Sequence, residues 1–137
     1  MPIFNQEHYD NYDQKGKDAL RNYLDKNNIY TMVQEDHGAD IKCFQEIYYE
    51  VEIKNRWTGD WPVNWYKLHI PYRKKRYMDG GKKVIFWVLN HSCNKAWEVN
   101  GGILNDDMME SISNPRYPKG EPFYCVPIGE CKLIELN

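Results

Sequence analysis

Apolar residues recur along this chain with two different periods. Over 14–27 they fall at Ala19, Leu20, Tyr23 and Leu24. That i, i+1, i+4, i+5 spacing predicts one face of a helix, which Asn27-Asn28 ends. Ahead of it, 1–13 reads as an irregular or partly helical lead-in that packs through Phe4, Tyr9 and Tyr12. From residue 48 the period drops to two: Tyr49, Val51 and Ile53 share one face of a strand, while Glu50, Glu52 and Lys54 share the other. Residues 29–34 predict an earlier strand, and Asp40 opens a shorter alternating segment after the turn Glu35-Asp36-His37-Gly38. The connection 44–47 is short enough for an antiparallel hairpin, which brings Asp40 beside the Glu52/Lys54 row.

Further on, 84–89 is a continuous apolar run, expected as a central strand buried on both faces. A polar turn over 90–94 leads to its partner at 96–99. Leu104, Met108 and Ile112 predict a short helix over 103–112, capped near Asn105. Residues 114–122 hold three prolines and a glycine and read as a surface loop; 123–128 and 131–136 read as strands. The element order implies an α/β domain with a mixed sheet flanked by helices. With 137 residues and no internal repeat, 1–137 is expected to be one domain.

Composition narrows the function classes. The 42% hydrophobic share, with 11 Tyr and 5 Trp, supports a folded core. A net charge of −2 means that any binding of a polyanion must come from a local patch. Cysteines at 43, 93, 125 and 131 form no C-x-x-C, so reduced thiols in a cytoplasmic compartment are expected rather than a zinc ribbon or a disulfide framework. No apolar run approaches the ~20 residues of a membrane span, so no membrane partner is expected.

The candidate chemistry is the acidic pair with its ammonium: Asp40, then Glu52-Ile53-Lys54. Carboxylate oxygens suit a hard divalent cation, and an ammonium two residues from a ligand can position water or offset developing charge. This constellation resembles the PD-(D/E)XK nuclease superfamily, with Ala39 where the eponymous proline would stand. The resemblance implies a restriction-endonuclease-like fold and a metal-dependent DNA nuclease acting in recombination, repair or degradation. It further implies Asp40, Glu52 and Lys54 as catalytic residues, and Mg²⁺ or Mn²⁺ held by Asp40, Glu52 and the Ile53 backbone carbonyl. Asp18, on the first helix, is a further candidate ligand, with Glu7 as competitor; His37 near Asp40 is a candidate second acid or base, though a solvated turn histidine is the expected reading. The runs Gly16-Lys17 with Tyr23-Leu24, and Ile70-Pro71 with Arg73-Lys74, are similar to phage members of the superfamily. A phage-encoded chain would work in the host cytoplasm, on DNA without excluding RNA, and the family allows a homodimer. The alternative is a non-catalytic nucleic-acid-binding module on the same fold.

Two stretches bear on a polymer substrate. Trp57, Trp61 and Trp65, broken by Gly59 and Pro62, must form either an aromatic cap on the core or a surface for stacking bases. After them comes the most basic part of the chain, Arg73-Lys74-Lys75-Arg76, on a helix expected to start at Pro71. With Arg56, Trp57 and Tyr72 this run makes the expected nucleic-acid-binding set.

Overall fold

The computed structural model describes residues 6–32, 40–43, 46–113, 115 and 118–136, with side chains from 14 onward except at position 32. The turn carrying His37, and the side chain of Glu7, lie outside the described residues.

Helix α1, Gln6–Lys26, begins eight residues earlier than the apolar stripe predicts. Its stripe is as expected: Leu20 and Leu24 are fully buried, with Ala19 and Tyr23 packed beside them. Strands β1 (Thr31–Met32), β2 (Ile41–Cys43) and β3 (Ile47–Ile53) form an antiparallel meander, with Ile41 opposite Tyr49. Strand β4 (Lys67–Pro71) belongs to a second sheet, and β5 (Lys83–Leu89) returns to lie parallel to β3, in register from Ile47↔Lys83 to Ile53↔Leu89. β6 (Lys95–Asn100) follows antiparallel to β5. β7 (Met109–Ile112) and β8 (Glu121–Pro127) join β4, while β9 (Lys132–Glu135) closes the first sheet beside β6. The larger sheet runs β1-β2-β3-β5-β6-β9 and the smaller β4-β8-β7.

The layers follow from the alternation. One face of the larger sheet, with Tyr49, Val51, Trp87 and Leu89, takes α1. The other, with Val84, Phe86, Val88 and Val99, packs on Leu68, Ile70, Tyr124 and Val126 of the smaller sheet. β5 is therefore buried on both faces, as its unbroken apolar run predicts.

Two expectations are corrected. Pro71 ends a strand instead of opening a helix, because 67–71 alternates Leu68 and Ile70 inward against β8; the basic run then coils into tight 3-10 turns over Tyr72–Gly81, broken at Asp79 and Gly80. The helix expected over 103–112 is two 3-10 turns, Gly101–Ile103 and Asp106–Met108, followed by β7. Asn105 does cap, accepting from the Asp107 amide at 2.9 Å, but the cap serves a single turn. The smaller sheet offers 109–112 an edge on β8, and that pairing outweighs the helical spacing of three apolar residues.

Candidate functional site

The polar face of β3 is the margin of the seam between the two sheets. Its neighbours across the parallel ladder are Phe86 opposite Glu50 and Val88 opposite Glu52, both covered by the smaller sheet. One strand further out the cover thins, and carboxylates take over from apolar side chains. Glu50 is nonetheless only 8% exposed, whereas Glu52 is exposed.

Asp40 stands one residue before β2, at the point where the β2–β3 ladder stops. Its Oδ2 accepts the Val51 amide at 2.9 Å, replacing the missing strand partner, and its own amide donates to Glu50 Oε2 at 3.2 Å. A residue's amide and carbonyl lie on one edge of a strand and recur every second residue. The Ile53 carbonyl therefore shares the edge on which Asp40 holds Val51, while the Lys54 amide faces the other way and donates to Leu89 O at 2.8 Å. Lys17 of α1 reaches Asp40 Oδ1 at 3.5 Å. It can do so because Gly16 lets the helix close on β3: a Cβ there would stand 3.1 Å from Val51 Cγ1 and 3.3 Å from Ile53 Cγ1.

Lys74 comes over from the 3-10 turns. Its Nζ lies 3.3 Å from Glu50 Oε1 and 3.9 Å from Glu52 Oε2. Burial pushes the Glu50 carboxyl up to about 7, against the pull of Lys74 and with the Asp40 charge adding to the rise. Asp40, Glu50, Lys74 and Glu52 thus form a connected row. Lys54 is next along the strand, its Nζ 5.2 Å from the centre of the Trp65 ring.

Glu52 and Lys54 also line a cleft of about 510 Å³ that runs on toward Trp65, Lys67 and His69. His69 sits below its ordinary value through partial burial and the adjacent charge of Lys54. Lys67 pairs with Glu110 across the cleft at 2.8 Å.

Several expected site residues have other roles. Asp18 points to solvent on α1, where Gln14 donates to it at 2.8 Å and Arg21 approaches to 4.0 Å, so it is removed from the ligand set. The packing face of the helix is the Gly16–Leu20–Leu24 stripe, and Asp18 lies off it. Trp57 is 1% exposed, stacked on Trp97 and met edge-on by Trp61, so it caps the core and has no face for a base. Lys74 neutralises acids instead of facing solvent. Arg73 is ion-paired to Glu121, Tyr72 leans on Tyr124, Lys75 lies over the Tyr72 ring and Arg76 over Tyr77. Arg56 is exposed at the cleft. The four cysteines are free thiols.

Lys17 and Glu50 are the site residues that sequence reasoning did not assign, and Lys74, expected on nucleic acid, joins the acids instead. Glu50 was legible as the residue two before Glu52 on the same face; the reach of Lys17 and Lys74 depends on packing. Among the described residues, no group of three or more His, Cys, Asp or Glu side chains gathers as a metal cage. The donor set at the row is all oxygen, and an ammonium already sits between two of its carboxylates, so the local field accepts a cation. Mg²⁺ keeps much of its water and takes only one or two carboxylates, which this row can supply.

No known protein family, curated protein or solved structure matches this chain. What stands is a mixed α/β fold with a six-stranded mixed sheet and an acidic row at its seam. No helix among the described residues is long and apolar enough to cross a membrane.

Proposed function

We propose that the chain is a metal-dependent nuclease hydrolysing phosphodiester bonds in DNA, with a part in recombination, repair or degradation. The observation that carries this reading is the row Asp40, Glu50, Lys74 and Glu52, linked neighbour to neighbour along one strand margin, with Lys54 next on the same face and an open cleft beside it. The strand order supports it too. A helix, an antiparallel meander ending in the E-x-K strand, and a crossover to a strand parallel to it follow the order that a restriction-endonuclease-like plan would have, with β4 and the 3-10 turns where its second helix would stand.

In this reading Asp40, Glu52 and the Ile53 carbonyl would hold Mg²⁺ or Mn²⁺, and Glu50, once ionised, would reinforce their negative field. When bound, such an ion supplies a Lewis acid that polarises the scissile phosphate and acidifies water. Lys54 orients the attacking water and offsets charge on the phosphate. Lys17 holds the Asp40 carboxylate in place.

The decisive experiment is digestion of linear, circular and branched DNA with Mg²⁺ or Mn²⁺ by the wild type and by Lys54→Ala. Cleavage by the wild type that falls at least 100-fold in the variant is expected. One observation favours a second reading, a binding module without cleavage: the Lys74 ammonium already sits between the two glutamates, where a metal ion would bind. DNA retained by both proteins with no strand cut would select it.

A further inference from the structure

The cleft beside Glu52 and Lys54 is built for more than a phosphate. Its walls are aromatic, from Trp61, Trp65 and Tyr66, and its charges are mainly basic, from Lys54, Arg56 and Lys67. Two carboxylates also line it: Glu110 and Lys67 pair and cancel each other, Glu52 belongs to the acidic row, and Lys54 and Arg56 are the cations that remain for a ligand. Among the rings, Trp65 gives a face to the Lys54 ammonium and is met edge-on by Trp61 at 5.0 Å. Trp61 is fixed in turn by donating Nε1–H to Trp65 O at 2.7 Å. Tyr66 differs: it is 74% exposed at the mouth, and among the described residues no ring or cation stacks on it. Its backbone is pinned, since its carbonyl accepts the Ile128 amide at 2.9 Å. A rigidly based aromatic ring open to water, over a basic cleft, costs solvation without giving packing in return.

The volume, about 510 Å³, lies in the range that takes one nucleotide-sized ligand. Inside a duplex a base has both faces stacked and is not free to enter such a space; an unpaired one is. Along its lining, His69, held toward its neutral form, and Asn64 offer hydrogen-bonding groups to a base edge.

We propose that this cleft takes an unpaired nucleotide of the polymer substrate, stacked on Tyr66 with its phosphates on Lys54 and Arg56. The preferred substrate is then a single strand, or a strand end or branch, and not uninterrupted duplex. This rests on the reading of Glu52 and Lys54 as the hydrolytic wall only for the cut, not for the binding.

Binding is therefore measured in EDTA, where no cut occurs. The probes are a 12-nucleotide oligodeoxythymidylate carrying one 2-aminopurine, its duplex with oligodeoxyadenylate, and thymidine monophosphate. The single strand is expected to bind at least tenfold tighter than the duplex, with quenched 2-aminopurine fluorescence. Tyr66→Ala, whose lost ring supports no packing, should weaken single-strand binding about tenfold; Trp65→Ala should do the same. Equal or better binding of duplex, or unquenched fluorescence, overturns the proposal. Thymidine monophosphate binding as tightly as the 12-mer overturns it in favour of a free-nucleotide site. Mg²⁺ is then added. Expected binding with no cleavage leaves the cleft standing and removes the nuclease reading; duplex cut equally by wild type and Tyr66→Ala keeps the nuclease and removes the cleft.

Discussion

The residue on which most of the electrostatics turns is Glu50. A carboxyl lifted from an ordinary 4.5 to about 7 holds, in the folded chain, a proton that the unfolded chain releases. Stability must therefore fall as pH rises from about 4.5 to about 7 and level off above, since the folded state is the one binding more protons across that window. Glu50→Gln removes the titration. Thermal melts in EDTA at pH 5.5 and pH 8 should show a clear drop in Tm for the wild type and a much smaller one for the variant; equal drops would mean that Glu50 is ionised in the fold throughout. The same proton competes with any cation held at the row, so affinity for Mg²⁺ should rise across this window too. Lys74 is the counterweight. Its single charge is shared unequally between Glu50 and Glu52.

At the scale of elements, the site depends on how closely α1 lies on β3. Gly16 sets that distance, and with it the reach of Lys17 to Asp40. Gly16→Leu should destabilise the fold by about 1–3 kcal/mol, because Val51 and Ile53 are held by the sheet and cannot both retreat. Gly59→Ala is the matched control: open space surrounds its added Cβ, and a change within about 0.5 kcal/mol is expected in the same denaturant titration. A Gly16→Leu protein as stable as that control would show that the helix rides more loosely than the contacts indicate. The stripe of α1, the period of two in β3 and the apolar run of β5 were legible in the sequence because each element buries a face whose repeat matches its own geometry. Pro71 and 103–112 were not, because both belong to the smaller sheet, where pairing with β8 outweighs local preference. The candidate site was legible along β3, since alternation alone places Glu50, Glu52 and Lys54 together. It was not legible across elements: Asp18 lies off the packing face of α1, Trp57 inside the aromatic cap, and Lys74 on the acids.

For the whole molecule, the question is how a chain of net charge −2 would hold a polyanion. The cations are not spread evenly. Lys42 and Lys82 flank the Tyr48 ring at one end of the polar face of β3, Arg76 lies within electrostatic reach of Glu50 at its middle, and Lys54 and Arg56 stand at the cleft. From Tyr48 to Lys54 the strand rises about 20 Å, enough for several nucleotides of a single strand. Of the basic run, Arg73 is tied to Glu121 and Lys74 to the acids, so Lys75 and Arg76, resting on the Tyr72 and Tyr77 rings, are the two that would release counterions from a phosphate backbone. Each phosphate neutralised contributes about 0.7 to the slope of log affinity against log salt for a single strand. Lys75→Ala with Arg76→Ala should flatten that slope by about 1.4 in titrations of the 12-mer between 50 and 200 mM salt, whereas Lys74→Ala should leave it nearly unchanged. The opposite ranking would place Lys74 on the phosphates, and the glutamates would then need another counterion.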